Sequence, residues 1–211
     1  MEVVVDGKTG LMTPDVGTTL QAVLEALRRN ISSRRRVIVT FTLDGEKLDL
    51  DKLGARADQP PGNFGLLEVR TADPFQLSVG TLSGLLGHLK NMEKVQEEAL
   101  TFANKGEYSK TLEKGDACFY GWDILLRAVR DVGSMSTADL KNLDAAGVTV
   151  DARIRELQDA LLRFSSALEF KDVARVAEII QAEFRPRLHD WRNVIEALGR
   201  HVARTSSSPT G

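Results

Sequence analysis

Apolar residues recur along this chain at two different periods, and the change falls near residue 73. Before it, short runs alternate at the two-residue period of a strand. After it, apolar positions return every three or four residues, as on one face of a helix. Glu2–Val5 is a β-branched run ending in Asp6-Gly7, a pair suited to a two-residue hairpin because that turn requires positive φ. Lys8–Met12 is the expected return strand. Thr18 is expected to open a helix, with Gln21 as its capping-box partner. Leu20, Val23, Leu24, Leu27 and Ile31 share the apolar face of that helix. Val37, Val39, Phe41 and Leu43 alternate with Ile38, Thr40 and Thr42, and Asp44-Gly45 predicts a second hairpin returning over Lys47–Leu50. The stretch from Gly54 to Gly65, with Pro60 and Pro61 inside, reads as a loop before a last strand, Leu66–Arg70.

Asp73-Pro74 places an N-cap and a first-turn proline together, with Gln76 to complete the box, so a helix is expected there. Leu82, Leu85, Leu89, Met92, Ala99, Phe102 and Ala103 form its stripe, with a stop at Gly106. Gly115, Cys118, Trp122, Leu125, Val129 and Val132 form a second stripe, ending at Gly133. Ile154, Leu157, Leu161, Phe164 and Leu168 form a third. Val173, Val176, Ile180 and Phe184 begin a fourth, which resumes with Leu188, Trp191, Ile195, Leu198 and Val202 after Pro186, expected to kink or divide it. A short helix is expected from Thr137 to Ala145, and a frayed Ser/Thr/Pro-rich tail from Arg204 to Gly211.

These elements predict an α+β protein in three parts. Residues 1–72 form a small α+β unit, residues 73–203 an antiparallel bundle of about four helices, and residues 204–211 a flexible tail. In its order of hairpin, helix and closing strands, the first part resembles a ubiquitin-like β-grasp domain. The Gly-Gly tail of that family is missing, since Thr71-Ala72-Asp73-Pro74 follows the last strand. Conjugation or sulfur carriage is therefore not implied.

Composition narrows the function classes. The chain has 211 residues and a formal net charge of −2, which gives no global attraction to nucleic acid or anionic membrane. The longest charge-free stretch, Pro74 to Leu89, is too short to cross a bilayer, and no secretory signal is visible at the N-terminus. With one cysteine, no intramolecular disulfide can form, and a cytoplasmic address is expected.

Motifs of chemistry are sparse. Gly7-Lys8-Thr9 resembles the end of a phosphate loop but lacks the earlier glycine and the following helix. His88, His189 and His201 fall in no metal-ligand spacing, although His189-Asp190 beside Trp191 is a candidate tuned imidazole. Cys118 lies on an apolar stripe and reads as a small core residue. No metal, cofactor, catalytic residue or small-molecule substrate is indicated.

Two features stand out. Gly80, Gly84 and Gly87 share one helix face, and each costs about 1 kcal/mol relative to alanine, so a closely approaching helix is expected to compensate. A neighbour in the same bundle is the favoured candidate, and a second subunit or partner helix the sharper one. Arg28, Arg29, Arg34, Arg35 and Arg36 form a basic cluster that would suit phosphates, or else a helix C-terminus. The expected function is non-enzymatic protein interaction, as scaffold or adaptor, by self-association (a homodimer) or with another protein, anchored by the glycine face or Trp191. One alternative is a nucleic-acid-associated protein using the arginine cluster, a role the acidic balance argues against. The other is an enzyme whose dispersed residues leave no linear motif.

Overall fold

The computed structural model describes residues 1–13, 18–48 and 50–206, which fall into two compact units, Met1–Leu77 and Ser78–Gly211. In the first, β1 (Glu2–Val5), β2 (Val37–Leu43), β3 (Glu46–Leu48) and β4 (Leu66–Ala72) form one sheet in the order β1-β4-β2-β3. β1 runs parallel to β4, with Val3 opposite Leu67 and Val5 opposite Val69, while β2 is antiparallel to both β4 and β3. Helix α1 (Leu20–Ser33) buries Leu20, Val23, Leu24, Leu27 and Ile31, the stripe its sequence predicts.

The Asp-Gly turns form, with Asp44 and Gly45 both at positive φ, a geometry glycine adopts at no steric cost. Asp6-Gly7 turns the same way, but the segment after it departs from expectation. Lys8–Met12 is no strand: only an isolated bridge joins Val5 to Lys8, and β1 finds its ladder on β4 instead. Leu11 and Met12 pack against the core, so this stretch contributes side chains rather than backbone pairing. The helix cap is Thr19 rather than Thr18. Its hydroxyl accepts from the Ala22 amide at 3.3 Å, while Gln21 donates to Glu25 instead of closing a box.

Two further corrections concern β2 and the loop. Regular alternation would bury Val37, Val39, Phe41 and Leu43 together. A register shift between Ile38 and Thr40 leaves Val39 exposed and turns Ile38 inward with Phe41 and Leu43. The return strand ends at Leu48; a short helix, α2 (Leu50–Arg56), starts at the last residue of the predicted strand and runs into the predicted loop, which also holds a 3-10 turn (Pro61–Asn63). Lys52 and Arg56 hold Glu46 at 2.8 Å each, tying α2 to β3. Asp49 lies outside the described residues.

The second unit is helical. Asp73 caps α3 (Pro74–Asn104) by accepting from the amides of Phe75 and Gln76. It is followed by α4 (Tyr108–Met135), α5 (Val150–Glu169), α6 (Val173–Ile179) and α7 (Arg185–Ser206). Ion pairs Glu98–Lys114 and Arg163–Glu183 and the His88 contact to the Gly121 carbonyl set neighbouring helices antiparallel.

The core is aromatic. Trp122, Trp191, Phe164 and Phe184 are fully buried, with ring centroids 4.8 Å apart for Phe164–Phe184 and 5.5 Å for Trp122–Phe184. Gly133 does not end α4, which runs to Met135. A Cβ there would lie 3.0 Å from Leu140, so the missing side chain admits a neighbour. The helix expected from Thr137 to Ala145 is absent. A small hairpin, β5 (Asp144–Ala145) and β6 (Val148–Thr149), turns at Ala146-Gly147 with both residues at positive φ.

Pro186 does not divide the last helix. Between α6 and α7 lies a π-helical segment, Ile180–Phe184, in which the Arg185 amide reaches back to the Ile180 carbonyl. Pro186 has no N–H to continue the ladder, and the Arg187 side chain donates to the Glu183 carbonyl at 2.7 Å. The helix persists through Ser206, so residues 204–206 belong to α7; the rest of the predicted tail, 207–211, lies outside the described residues.

Of the buried polar side chains without a partner among the described residues, which include Ser78 and the Trp122 indole N–H, Gln96 leaves both amide atoms unpaired. Gln96 on α3 is 1% exposed, and neither amide atom has a hydrogen-bond partner among the described residues. An unpaired buried amide costs about 1–3 kcal/mol. Gln96→Met, similar in length and without the polar atoms, is therefore expected to stabilise the protein by about 1–3 kcal/mol in urea titration. A loss of stability would show that the amide has a partner in solution.

Candidate functional site

The three glycines of α3 do not admit a neighbouring helix of this chain. Gly80, Gly84 and Gly87 lie opposite the buried positions Leu82, Leu85 and Leu89, and a Cβ at any of them would meet nothing within 4 Å. The expected close approach within the bundle is thus overturned, because the face points outward. The close approaches are on α4 instead. A Cβ at Gly115 would lie 2.8 Å from Leu168, and one at Gly121 3.2 Å from Met92. Exposed Val79 and Leu86 stand at one edge of the glycine face, which also carries exposed Gln76, Ser83 and Asn91. Trp191 is corrected outright: at 1% exposure it packs edge-on against Trp122, within the core and away from any surface.

The arginine cluster is divided by local structure. Arg34 ends α1, its amide closing on the Ile31 carbonyl, and Arg35 follows at positive φ. Arg28 and Arg29 are exposed along α1. Arg36 is committed elsewhere: its guanidinium donates to the Thr71 hydroxyl at 2.5 Å and to the Thr71 carbonyl at 3.0 Å. Thr71 in turn donates its amide and hydroxyl to the two oxygens of Asp6, at 2.7 and 2.6 Å. These bonds tie the β1 turn, the start of β2 and the end of β4 together.

The Thr71 hydroxyl and amide, with Arg36 and Lys8 adding charge attraction, hold the Asp6 carboxyl below its ordinary 3.8. A lowered folded-state value means stabilisation that is fully present above the unfolded value and lost as pH falls through the folded one. The Asp6 carboxyl is expected to titrate below 3.8 by carbon-detected NMR, with the Thr71 amide losing protection over the same range. A midpoint at or above 3.8 would contradict the network.

Candidate chemical groups are occupied structurally. The His88 ring meets the Gly121 carbonyl at 2.8 Å, and the His201 ring meets the Ser136 carbonyl at 3.1 Å. His189 is exposed, and its neighbour Asp190 pairs with Arg153 at 3.1 Å rather than with the imidazole. Burial pushes the Cys118 thiol up to about 12, which keeps it protonated and unreactive. Among the described residues no three metal-ligating side chains come together, and no helix is long and apolar enough to cross a membrane.

The sequence reading missed several surface residues. Tyr120 and Ile124 stand exposed one turn apart on α4, and Leu162 and Phe170 on and just beyond α5, Phe170 at 79%. All four fall outside the buried stripes, which was the available signal. Asp6, read as part of a turn, and Lys8, read as the start of a return strand and in the incomplete phosphate-loop match, line a cleft with Arg34 and Arg36.

A family model described as "Domain of unknown function (DUF8042)" matches residues 81–194, over half of the chain. The match runs from α3 into α7 and leaves out the whole first unit. No curated protein and no solved structure matches the chain.

Proposed function

Because the chain belongs to the DUF8042 family of domains of unknown function, we propose its role from the surfaces it presents: a non-enzymatic scaffold that associates through the outward face of α3. The observation that carries this reading is that Gly80, Gly84 and Gly87 interrupt a long helix without admitting any neighbour among the described residues. Each glycine weakens the helix, and a second backbone packing closely against them is what would compensate. Exposed Val79 and Leu86 supply apolar area beside the contact. A second copy of the chain is the first occupant to test. The structural use of His88, His201 and Cys118 fits a non-enzymatic role. The lone buried thiol accords with a cytoplasmic setting. The first unit reads as a ubiquitin-like β-grasp module, on its parallel first and last strands and single long helix.

Size-exclusion chromatography with light scattering tests this reading. Wild type is expected near twice the 23.2 kDa chain mass, and Gly84→Leu at the single-chain mass with unchanged circular dichroism. A single-chain mass for wild type across all concentrations would overturn self-association.

A further inference from the structure

Two depressions in the first unit share a wall. One, of about 530 Å³, has an apolar floor of Val5, Leu11 and Ile31, with Lys8 and Arg34 on its rim. The other, of about 230 Å³, is lined by Ile31, Val37, Ile38 and Phe41, with Arg28 beside them. Arg36 and Ile31 belong to both, and Arg36 is fixed by its bonds to Thr71 and Asp6, so it forms a rigid partition between the two.

The charges on this surface are unbalanced. Lys8, Arg28 and Arg34 make no ion pair or hydrogen bond through their side chains among the described residues. Among the described residues the cleft holds one carboxylate, Asp6, which has both oxygens engaged by Thr71 and lies beside Arg36. Three surplus cations around two aliphatic floors call for a ligand that carries both carboxylates and aliphatic groups.

We propose that this divided groove binds an extended segment of a partner protein in which aliphatic residues alternate with acidic ones. In an extended chain, side chains two residues apart lie on one side about 7 Å from each other, so successive aliphatic groups can enter the two depressions across the Arg36 partition. The intervening carboxylates meet Lys8, Arg34 and Arg28, whose long side chains reach around the segment. An inorganic phosphate would leave both apolar floors uncovered. Nucleic acid fits less well, because Phe41 is the only aromatic ring among the described residues of the groove and stacking platforms are what single strands require. The groove does not depend on the α3 face, so either assignment stands or falls alone.

The test uses the full chain and a fluorescein-labelled peptide of alternating leucine and glutamate, followed by anisotropy at low and at physiological salt. Saturable binding is expected, weakened about tenfold by Arg34→Glu or Lys8→Glu and unchanged by Arg29→Glu, which alters net charge equally outside the groove. Arg34→Gln and Lys8→Gln serve if a reversed charge perturbs folding, and should each weaken binding several-fold. The glutamine-for-glutamate peptide is expected not to bind. The proposal is overturned by no binding, by equal loss in Arg29→Glu, or by equal binding of the glutamine peptide. It is likewise overturned if labelled oligothymidylate binds and the peptide does not.

Discussion

Truncating Trp122 to alanine is expected to remove about 3–5 kcal/mol of stability, the range for emptying a large aromatic site in a close-packed core. The indole is fully buried and touches two helical segments at once, with Phe184 in the π segment 5.5 Å away and Trp191 on α7 at 6.3 Å. Loss of the ring leaves both partners facing a void that neither backbone can close cheaply. Because domains are stable by only about 5–15 kcal/mol, this one substitution consumes a large part of the margin. Urea denaturation followed by far-ultraviolet circular dichroism measures it, since the variant loses one of only two tryptophan reporters. A cost below about 1 kcal/mol would mean that the aromatic cluster is not the centre of the helical core.

The second large effect has the opposite sign. Gly80→Ala, Gly84→Ala and Gly87→Ala are each expected to stabilise the isolated chain by about 0.8–1.0 kcal/mol, and the triple variant by about 2–3 kcal/mol. Added methyl groups meet nothing within 4 Å, so no packing penalty offsets the gain in helix propensity. The gain should be seen at high dilution, where association does not contribute. A destabilised triple variant would show that some part of the chain packs on that face after all. Stabilisation of the monomer with loss of association would mean that the glycines serve contact at the expense of helix strength.

The physical basis of these expectations also explains how much the sequence reveals. Helical stripes such as Ile154, Leu157, Leu161 and Phe164 are legible because their periodicity is local. The Asp-Gly turns are legible because backbone sterics restrict what can occupy them. Val39 was not, since the register shift that exposes it depends on how β2 meets β4, a segment about thirty residues away in the chain. The return strand expected over Lys8–Met12 failed for the same reason, because β1 could satisfy its ladder on β4. The π segment before Pro186 shows the remaining gap. A proline predicts a disturbed ladder but not which of several helical repairs the surroundings favour.

The candidate surfaces divide along the same line. That three glycines on one face need a reason is legible from helix propensity; which side of the helix they occupy relative to the core is also legible, from Leu82, Leu85 and Leu89. Internal packing would require the glycines on the side of Leu82, Leu85 and Leu89, and they lie on the other. At Gly115 both patterns coincide, and there a close neighbour is present. The Asp6–Thr71–Arg36 network was beyond reach, because it joins side chains from the start, middle and end of the first unit.

The most direct measurement places a single thiol beside the α3 glycines, leaving them intact, as Leu86→Cys, and follows its modification by a maleimide over a range of protein concentrations. The native Cys118 is buried and protonated, so it stays silent. The account predicts fast labelling at high dilution that slows as concentration drives the chains together. Labelling at one rate at every concentration, or a thiol blocked even at high dilution, would contradict it.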